Sequence, residues 1–398
     1  MSFSTIFIII ALSIGSAVFL AGPRFATNLA QVADGARDSC IFVENGFGPS
    51  GTVSIRAEVV VNGLEVPWAL AFLPSGDWLV TERPGRVRLI RNGVLQGAPV
   101  LELALEEIGE GGLLGLAIHP RFAENSFFYV YHTIANSGGD AINRVSRYRL
   151  SMNHRAATLD RVVLDGIPAS PVHDGGRLRF GPDGMLYVST GDAGVPNRAQ
   201  SSESLSGKIL RITPEGGVPS DNPMPGSPVY ISGIRNSQAF DWLDRSTLIV
   251  ADHGPSGDLG QTGRDEVNFA MAGNNLGWPT VTGCQTSAGK VRPAISWKSA
   301  VPPGGGAMYR GDKIPEWRGN FIMGTLGSTH LHRLVIRSGS LGFSSHEVYL
   351  SGERPSGYGR LRDVQQGPDG YLYVTTSNCD SRADCPPEKD VIIRISKQ

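Results

Sequence analysis

A short phrase recurs along the chain and constrains its fold more than any other feature. Each clear copy joins a Pro-x-Gly turn to a run of aromatic and β-branched residues. The clear copies are LPSGDWLVTE (residues 73–82), GPDGMLYVSTGD (181–192) and GPDGYLYVTT (367–376), and a degenerate copy, LDRSTLIVADH, occupies residues 243–253. A tight turn next to such a run is typical of a β-hairpin. The phrase therefore predicts a chain of many short strands.

The spacing of the phrases predicts how many repeats there are. Their starts lie about 60 to 125 residues apart, which fits a unit of roughly 60 residues that has diverged in places. Residues 55–398 then hold about six units, and a closed ring of four-stranded blades protects the edges of its sheets. We predict an all-β, six-bladed β-propeller over residues 55–398; an eight-stranded sandwich, the alternative, needs a shorter chain. The best helix candidate is LELALEEIGEGG, residues 101–112.

Composition fits an ordered, turn-rich protein. The 398 residues include 51 glycines and 26 prolines, and 40% are hydrophobic. The formal net charge of −1 excludes a disordered chain, which needs high net charge, and provides no basic excess to neutralise nucleic-acid phosphates. Collagen is excluded because the glycines do not recur at every third position. We therefore expect a globular protein with no nucleic-acid partner.

The N-terminus forms a separate segment. Residues 5–22 carry no charged side chain, and this length lies on the border between a signal-peptide core and a membrane span. We predict that residues 1–25 are a signal peptide or membrane anchor and that residues 26–54 are a tether. The alternative is a helix buried in the core. We expect an exported protein, periplasmic or extracellular, and leave open whether residues 5–22 tether it to the membrane.

Four cysteines suit an exported chain with one or two disulfides. Cys379 and Cys385 are six residues apart in the loop NCDSRADC and can close a small ring. Four cysteines permit three pairings, and the sequence does not choose among them.

Polar residues in glycine-rich loops beside the repeats are candidates for a functional site. His173 lies just before Gly175 and Gly176, and a histidine with a pKa near 6.5 can act as a general base. Arg235 and Asn236 lie in GIRNSQAFDW, where a guanidinium can bind a carboxylate through two parallel hydrogen bonds. The alternatives are a surface histidine and a structural salt bridge between blades.

Two further segments predict ligands of opposite charge. Arg360 and Arg362 alternate, so on a strand both point to one face, and a polycarboxylate between them would relieve their repulsion. In the loop ADHGPSGDLGQTGRDEVNF, the carboxylates of Asp252, Asp265 and Glu266 and the backbone carbonyls of residues 254–255 are hard oxygen donors that suit Ca²⁺. The alternatives are separate surface arginines and solvated acids.

These segments resemble the soluble quinoprotein glucose/sorbosone dehydrogenase family, which includes the aldose sugar dehydrogenases. The resemblance covers most of the body, from VPWALAFLPSGDWLVTERPGRVRLI (66–90) to the phrase at 367–376, and its motifs occur in the family's order. The motifs between them are GGLLGLAIHPRF, HDGGRLRFGPDGMLYVSTGD, SLSGKILRITPEG, GIRNSQAFDW, DHGP, DEVN, NNLGWP and RLRDV. The resemblance implies a six-bladed propeller that holds pyrroloquinoline quinone (PQQ) and calcium and oxidises sugars to lactones, passing electrons to a quinone or another acceptor.

The resemblance also implies a role for each matched residue. His173 resembles the family's general base, Arg235 the arginine that stabilises the reduced cofactor, and Asn236 its neighbour. Arg360 and Arg362 resemble the pair that binds the PQQ carboxylates. The carbonyls of Gly254 and Pro255 resemble the family's calcium ligands, with Asp265 and Glu266 close by. Trp297, in ISWKSAVPPGGGAMY, resembles an aromatic residue near the cofactor.

Two cofactor positions depart from the family's pattern. Glu110 stands where the family usually has Gln, and Gly327 in GTLG replaces a cofactor-binding lysine of the motif GSLK. Gaining an anion and losing a cation predicts weaker PQQ binding, because each unit charge near 4 Å is worth about 4 kcal/mol at an effective dielectric of 20. His330, three residues further on, is the candidate to compensate.

The departures leave two other functions open. One is a propeller that has lost the cofactor and binds glycans of the cell envelope. The other is a metal-dependent propeller lactonase with calcium at the centre of its channel.

Overall fold

The computed structural model describes Met1 and residues 37–105, 108–136 and 138–398. The predicted signal or anchor segment therefore lies outside the described residues, apart from Met1, as does the first part of the predicted tether. No helix among the described residues is long and apolar enough to cross a membrane.

Strands make up most of the regular structure. In chain order they are β1 (Ile41–Val43), β2 (Ile55–Leu64), β3 (Pro67–Phe72), β4 (Trp78–Glu82), β5 (Arg86–Arg91), β6 (Val94–Leu95), β7 (Leu101–Glu102), β8 (Leu113–Ile118), β9 (Phe127–Ala135), β10 (Ala141–Leu150), β11 (Ala157–Pro168), β12 (Leu178–Phe180), β13 (Leu186–Ser189), β14 (Lys208–Ile212), β15 (Val229–Ser232), β16 (Ser237–Trp242), β17 (Leu248–Asp252), β18 (Glu266–Ala270), β19 (Ile295–Trp297), β20 (Pro303–Met308), β21 (Phe321–Thr325), β22 (Leu331–Ile336), β23 (Phe343–Tyr349), β24 (Leu361–Gln366), β25 (Leu372–Thr376) and β26 (Asp390–Lys397).

The strands form six antiparallel sheets, which are the blades of a β-propeller. The strand orders are β3-β4-β5-β6 with β7 on β5, β8-β9-β10-β11, β12-β13-β14-β15, β16-β17-β18-β19, β20-β21-β22-β23 and β24-β25-β26-β2. The first strands of the blades line a central channel, where β3 contacts β8 and β24, β8 contacts β12, and β20 contacts β16 and β24. The predicted six-bladed propeller is confirmed.

The recurring phrases form the hairpins between the first and second strands of their blades. In the third blade, Asp183 accepts hydrogen bonds from the Met185 N–H at 3.1 Å and from the Tyr187 hydroxyl at 2.9 Å. In the sixth blade, Asp369 does the same for Tyr371 and Tyr373, at 3.2 Å and 2.7 Å. In these two copies the aspartate closes the turn and holds the tyrosine of the next strand.

The ring closes through a strand from each end of the chain. Strand β2 pairs antiparallel with β26, from Ile55 opposite Lys397 to Leu64 opposite Asp390. The last blade therefore contains three C-terminal strands and one N-terminal strand, and pairing both ends leaves no blade open. Apolar clusters between neighbouring sheets, such as the one around Trp68, Phe128 and Leu186, form the core.

The compact unit begins at Asp38, before the boundary predicted at residue 55. Residues 41–43 form β1, which pairs in parallel with β19 on the outside of the fourth blade. A disulfide joins Cys40 to Cys284, and a second joins Cys379 to Cys385. Both disulfides therefore form, including the small ring that the spacing allowed.

The predicted helix at 101–112 is wrong over its described residues. Leu101–Glu102 form β7, and residues 103–105 and 108–112 carry no helix. Leu101, Leu103 and Leu105 are partly buried and alternate with exposed residues, which is the period of a strand rather than of a helix. The α-helical and 3₁₀ segments of the described residues are Phe122–Asn125, Pro196–Gln200, Asp258–Gly260 and Pro315–Trp317.

Candidate active site

A cavity of about 190 Å³ opens at the end of the channel where the first strands of the blades begin. Residues at or just before the starts of β3, β8, β12, β16, β20 and β24 form one set of its walls. Loops that follow the second strands of four blades form the rest. The first set is Trp68, Glu110, His173, Arg235, Asn236, Gln238, Pro302, Arg360 and Arg362, and the second is Arg83, His253, Ser256, Leu326, Gly327, Asp380 and Arg382.

His173 is held against a buried carboxylate. Its Nδ1 lies 2.7 Å from Oδ1 of Asp192, whose side chain is fully buried. The other oxygen, Oδ2, accepts a hydrogen bond from Trp278 Nε1 at 2.8 Å, and Oδ1 also accepts the Gly194 N–H at 2.8 Å. A carboxylate accepts, so Nδ1 carries the proton and Nε2 keeps a lone pair. The ring is therefore set up to accept a proton at Nε2.

The backbone around His173 is tightly constrained. His173 has a φ of 62°, a region that few residues other than glycine adopt. A Cβ on Gly191 would lie 1.9 Å from the His173 carbonyl oxygen, and one on Gly175 would lie 2.6 Å from Thr190 Cα. Glycine is therefore needed on both sides for the two loops to approach. Asn236 Oδ1 accepts the Gly175 N–H at 2.9 Å, so Asn236 also holds this loop in place.

Arg235 is buried and paired. Its guanidinium donates two hydrogen bonds to Asp258 Oδ2, from Nη2 at 2.5 Å and from Nε at 3.2 Å. It also lies 5.6 Å from the centre of the Trp278 ring. Asp252 accepts the backbone N–H groups of Arg235 and Asn236, each at 2.8 Å. Arg235 therefore lines the same cavity as His173, and its guanidinium is paired with the carboxylate of Asp258.

Arg360 and Arg362 do point to one face, and a carboxylate of the chain itself lies between them. Asp380 Oδ2 lies 2.8 Å from Arg360 Nη2 and 3.6 Å from Arg362 Nη2. Arg362 Nη1 also donates to Gln238 Oε1 at 2.6 Å. Burial alone would raise the pKa of Asp380, but the two arginines outweigh it and hold that pKa below its usual value. Their mutual repulsion is thus already relieved by Asp380, so it no longer requires an external anion.

Glu110 lines the cavity, and its charge is offset. Its Oε1 accepts Arg382 Nη2 at 2.9 Å, and its Oε2 accepts the His173 N–H at 3.1 Å. Burial alone would raise the pKa of Glu110, but the attraction of Arg382 outweighs it and the pKa is lowered. The anion predicted at this position is therefore present and paired with Arg382; its effect on PQQ binding stays a prediction.

His330 does not compensate for Gly327. Its ring is fully buried, with Nδ1 2.9 Å from the Ser328 carbonyl and Nε2 2.9 Å from His332 Nδ1. Both ring nitrogens are therefore bonded away from the cavity, whereas Gly327 lines it. Burial lowers the pKa of His330 to about 4, so the ring is uncharged at neutral pH.

Trp297 is not among the residues that line the cavity. It lies at the end of β19, the fourth strand of its blade, and is fully buried. Its Nε1 donates to the Phe47 carbonyl at 2.9 Å, and its ring meets that of His332 edge-on at 5.0 Å. Outer strands lie far from the channel in a propeller, so Trp297 belongs to the core.

The predicted metal residues lie around one loop. The Gly254 N–H donates to Asp265 Oδ1 at 2.9 Å, and Asp265 Oδ2 accepts the Val301 N–H at 2.7 Å. Both Asp265 oxygens therefore bond to backbone. Burial raises the pKa of Glu266, at the start of β18, to about 8. The described residues contain no group of three or more His, Cys, Asp or Glu placed to hold a metal; a calcium ion here would rest on carbonyls such as those of Gly254 and Pro255.

Sequence reasoning missed the partners of the cavity residues. Asp192, Asp258, Asp380 and Arg382 were not assigned roles, although each holds a predicted residue in place. Asp192 ends a recurring phrase, and that position was a usable signal because it follows the second strand of a blade. Asp380 and Arg382 lie inside the ring closed by a disulfide, where only the fold brings them to Arg360 and Glu110.

Comparison with known proteins places the chain in a family. Residues 64–384 match the model of the glucose/sorbosone dehydrogenase family. Aldose sugar dehydrogenase YliI of Escherichia coli strain K12 is 31% identical over 346 residues, covering 81% of this chain and 90% of that protein. Quinoprotein glucose dehydrogenase B of Acinetobacter calcoaceticus is 30% identical over 274 residues, covering 61% and 56%. The PQQ-bound form of aldose sugar dehydrogenase from Streptomyces coelicolor superimposes with a TM-score of 0.76 at 34% identity, covering 87% of this chain and 99% of that one. The chain therefore belongs to the glucose/sorbosone dehydrogenase family of sugar dehydrogenases.

Proposed function

We propose that the protein oxidises the anomeric hydroxyl of an aldose sugar to a lactone, with PQQ as its cofactor. The observation that carries the proposal is a histidine–aspartate pair, His173 and Asp192, beside a cavity rich in arginine. The described lining includes five arginines and two carboxylates, and this excess of positive charge suits a cofactor with several carboxylates. The lining therefore fits PQQ by its charge.

His173 would take the proton of the substrate hydroxyl at Nε2. Asp192 accepts the Nδ1 proton at 2.7 Å, which fixes the tautomer and stabilises the positive ring that forms. Trp278 and Gly194 hold the Asp192 carboxylate in turn. Proton removal leaves electron density on the sugar oxygen, which favours departure of hydride from the anomeric carbon.

The remaining residues would hold the cofactor and its metal. Arg360, Arg362 and Asn236 would bind PQQ, and Arg235 would stabilise negative charge in the cavity. The carbonyls of Gly254 and Pro255 would be the calcium ligands, since carbonyl oxygens are donors of the kind that calcium prefers. When bound, PQQ and calcium supply a hydride acceptor and a cation that stabilises the charge it gains.

We also propose that the protein is exported and passes electrons to a quinone or another acceptor. The two disulfides support an oxidising compartment. N-terminal sequencing of protein recovered outside the cytoplasm would test export and would locate any cleavage near residue 25. Recovery of the chain only from the cytoplasm, with intact residues 1–25, would contradict it.

The decisive experiment adds PQQ and CaCl₂ to purified protein and follows reduction of a dye with a panel of aldoses. We expect sugar-dependent reduction in the wild type and a loss of about 10²-fold or more in a His173→Gln variant, with PQQ still bound. Retention of glycans, or hydrolysis of lactones, without uptake of PQQ would overturn the proposal and favour one of the other two functions.

A further inference from the structure

The small disulfide ring carries an arginine into the cavity. Arg382 lies between Cys379 and Cys385, which are bonded to each other, and it lines the same cavity as Arg360 and Gly327. Its side chain is about half exposed, at 55%, unlike the buried guanidiniums of Arg235, Arg360 and Arg362. Arg382 is therefore a cation at the rim of the cavity that a ligand can reach.

Asp380 ties this arginine to the buried pair. Its Oδ1 accepts the Arg382 backbone N–H at 3.1 Å, while its Oδ2 accepts Arg360 Nη2 at 2.8 Å. One carboxylate thus orients Arg360 through the side chain and Arg382 through the backbone. The disulfide closes the segment that contains both Asp380 and Arg382.

The side chain of Arg382 is held only loosely. Its ion pair is with Glu110, at 2.9 Å between Nη2 and Oε1, and water competes for the half-exposed guanidinium although Glu110 is mostly buried. A guanidinium has five N–H donors, and this pair engages one of them. A ligand carboxylate can therefore bind Arg382 beside Glu110 or in exchange for it, and Glu110 would keep its bond to the His173 N–H.

The neighbouring wall at Gly327 has no side chain and has room for one. A Cβ built there would meet Pro302 Cγ at 3.4 Å, an ordinary contact, and nothing closer. Because φ at Gly327 lies outside the left-handed region, a larger residue is tolerated by the backbone. The cavity therefore has no side chain at Gly327 and has a cation at Arg382, which lines the same cavity.

We propose that Arg382 is a binding residue for the anionic ligand of the cavity and takes the place of a cation at position 327. The inference rests on the proposed function, since PQQ is the anion expected there. The ring that contains Cys379 and Cys385 is then part of the binding site, and Glu110 is the partner of Arg382 in the free protein.

The test measures the Kd of PQQ by titration calorimetry at saturating CaCl₂, independently of activity. Arg382→Gln should raise Kd about 10- to 100-fold, the effect of losing a hydrogen bond to a charged group. Arg144→Gln is the matched control, since it removes an arginine from a surface ion pair with Asp165 outside the cavity, and should leave Kd unchanged. Adding Gly327→Lys to Arg382→Gln should recover most of the lost affinity.

The outcomes separate this inference from the proposed function. A wild type that does not bind PQQ overturns both. A wild type that binds PQQ, with an Arg382→Gln Kd within twofold of it, overturns the inference alone. As a second measurement, replacing both Cys379 and Cys385 by serine should raise Kd, whereas replacing Cys40 and Cys284 should not; equal effects of the two double variants would contradict a role for the ring.

Discussion

On each side of the cavity, a buried carboxylate pairs with a basic side chain, but the two pairs suit different functions. On the His173 side, the buried carboxylate of Asp192 pairs with an imidazole ring, whose other nitrogen can accept a proton. On the arginine side, the carboxylate of Asp380 pairs with Arg360 and Arg362, which stay charged. Burial lowers the pKa of Arg362 to about 10, still well above neutrality. One side is suited to moving a proton, and the other to holding an anion.

The largest difference between the two sides is expected from a change at Asp192. Asp192→Asn should lower kcat by about 10³-fold or more, because the amide favours the wrong tautomer of His173, while the Kd of PQQ changes little. Steady-state kinetics and calorimetry on the same samples check this split. Asp183→Asn, the same change at a turn of the same blade, is the control. A loss of PQQ binding that matches the loss in turnover would show that the two sides are not separate in function.

The opposite split is expected on the arginine side. Arg360→Gln removes one of two cations from Asp380 and should raise the Kd of PQQ about 10- to 100-fold. At saturating PQQ, kcat should stay within a few-fold of the wild type, since His173 and Asp192 are untouched. Circular dichroism should confirm that the variant is folded. A loss of turnover at saturating PQQ as large as that of Asp192→Asn would place Arg360 in the chemistry instead.

A smaller effect is expected outside the cavity, at Trp297. Trp297→Phe should lower the free energy of unfolding by about 1–2 kcal/mol, through lost packing and the lost hydrogen bond to the Phe47 carbonyl. Denaturant titration measures this loss. Neither kcat nor the Kd of PQQ should change. A weaker PQQ affinity with unchanged stability would instead support the predicted role of Trp297 near the cofactor.

The positions that sequence reasoning placed well share one property. His173, Arg235 and Arg360 lie just before the first strands of their blades, so the repeat itself brings them to one mouth of the channel. Trp297, in contrast, ends a fourth strand and does not line the cavity, and a motif does not reveal how far a strand lies from the axis.

The carboxylates that pair with these residues could not be predicted, for a different reason. Asp192 and Asp380 follow their residues by 19 and 20 positions, across a hairpin. Which carboxylate turns inwards depends on loop geometry that no periodicity encodes. The compensation of Glu110 by Arg382 joins loops 272 residues apart, and its charge balance becomes visible only in three dimensions. The hairpins and the blade number, in contrast, follow from local turn chemistry repeated along the chain.

The smallest effect concerns the residue after His173. Asp174 is buried with Oδ2 unpaired, and burial raises its pKa to about 7. The unfolded chain releases this proton near pH 4, so the folded protein holds it more tightly and loses stability as pH rises from about 4 through 7. Asp174→Asn has no proton to lose. Its Tm relative to the wild type should therefore rise by a few degrees between pH 5 and pH 8, measured by calorimetry with Asp165→Asn as the exposed control. A constant difference across that range would mean that Asp174 is ionised throughout, and that the His173 side carries a second permanent charge close to its base.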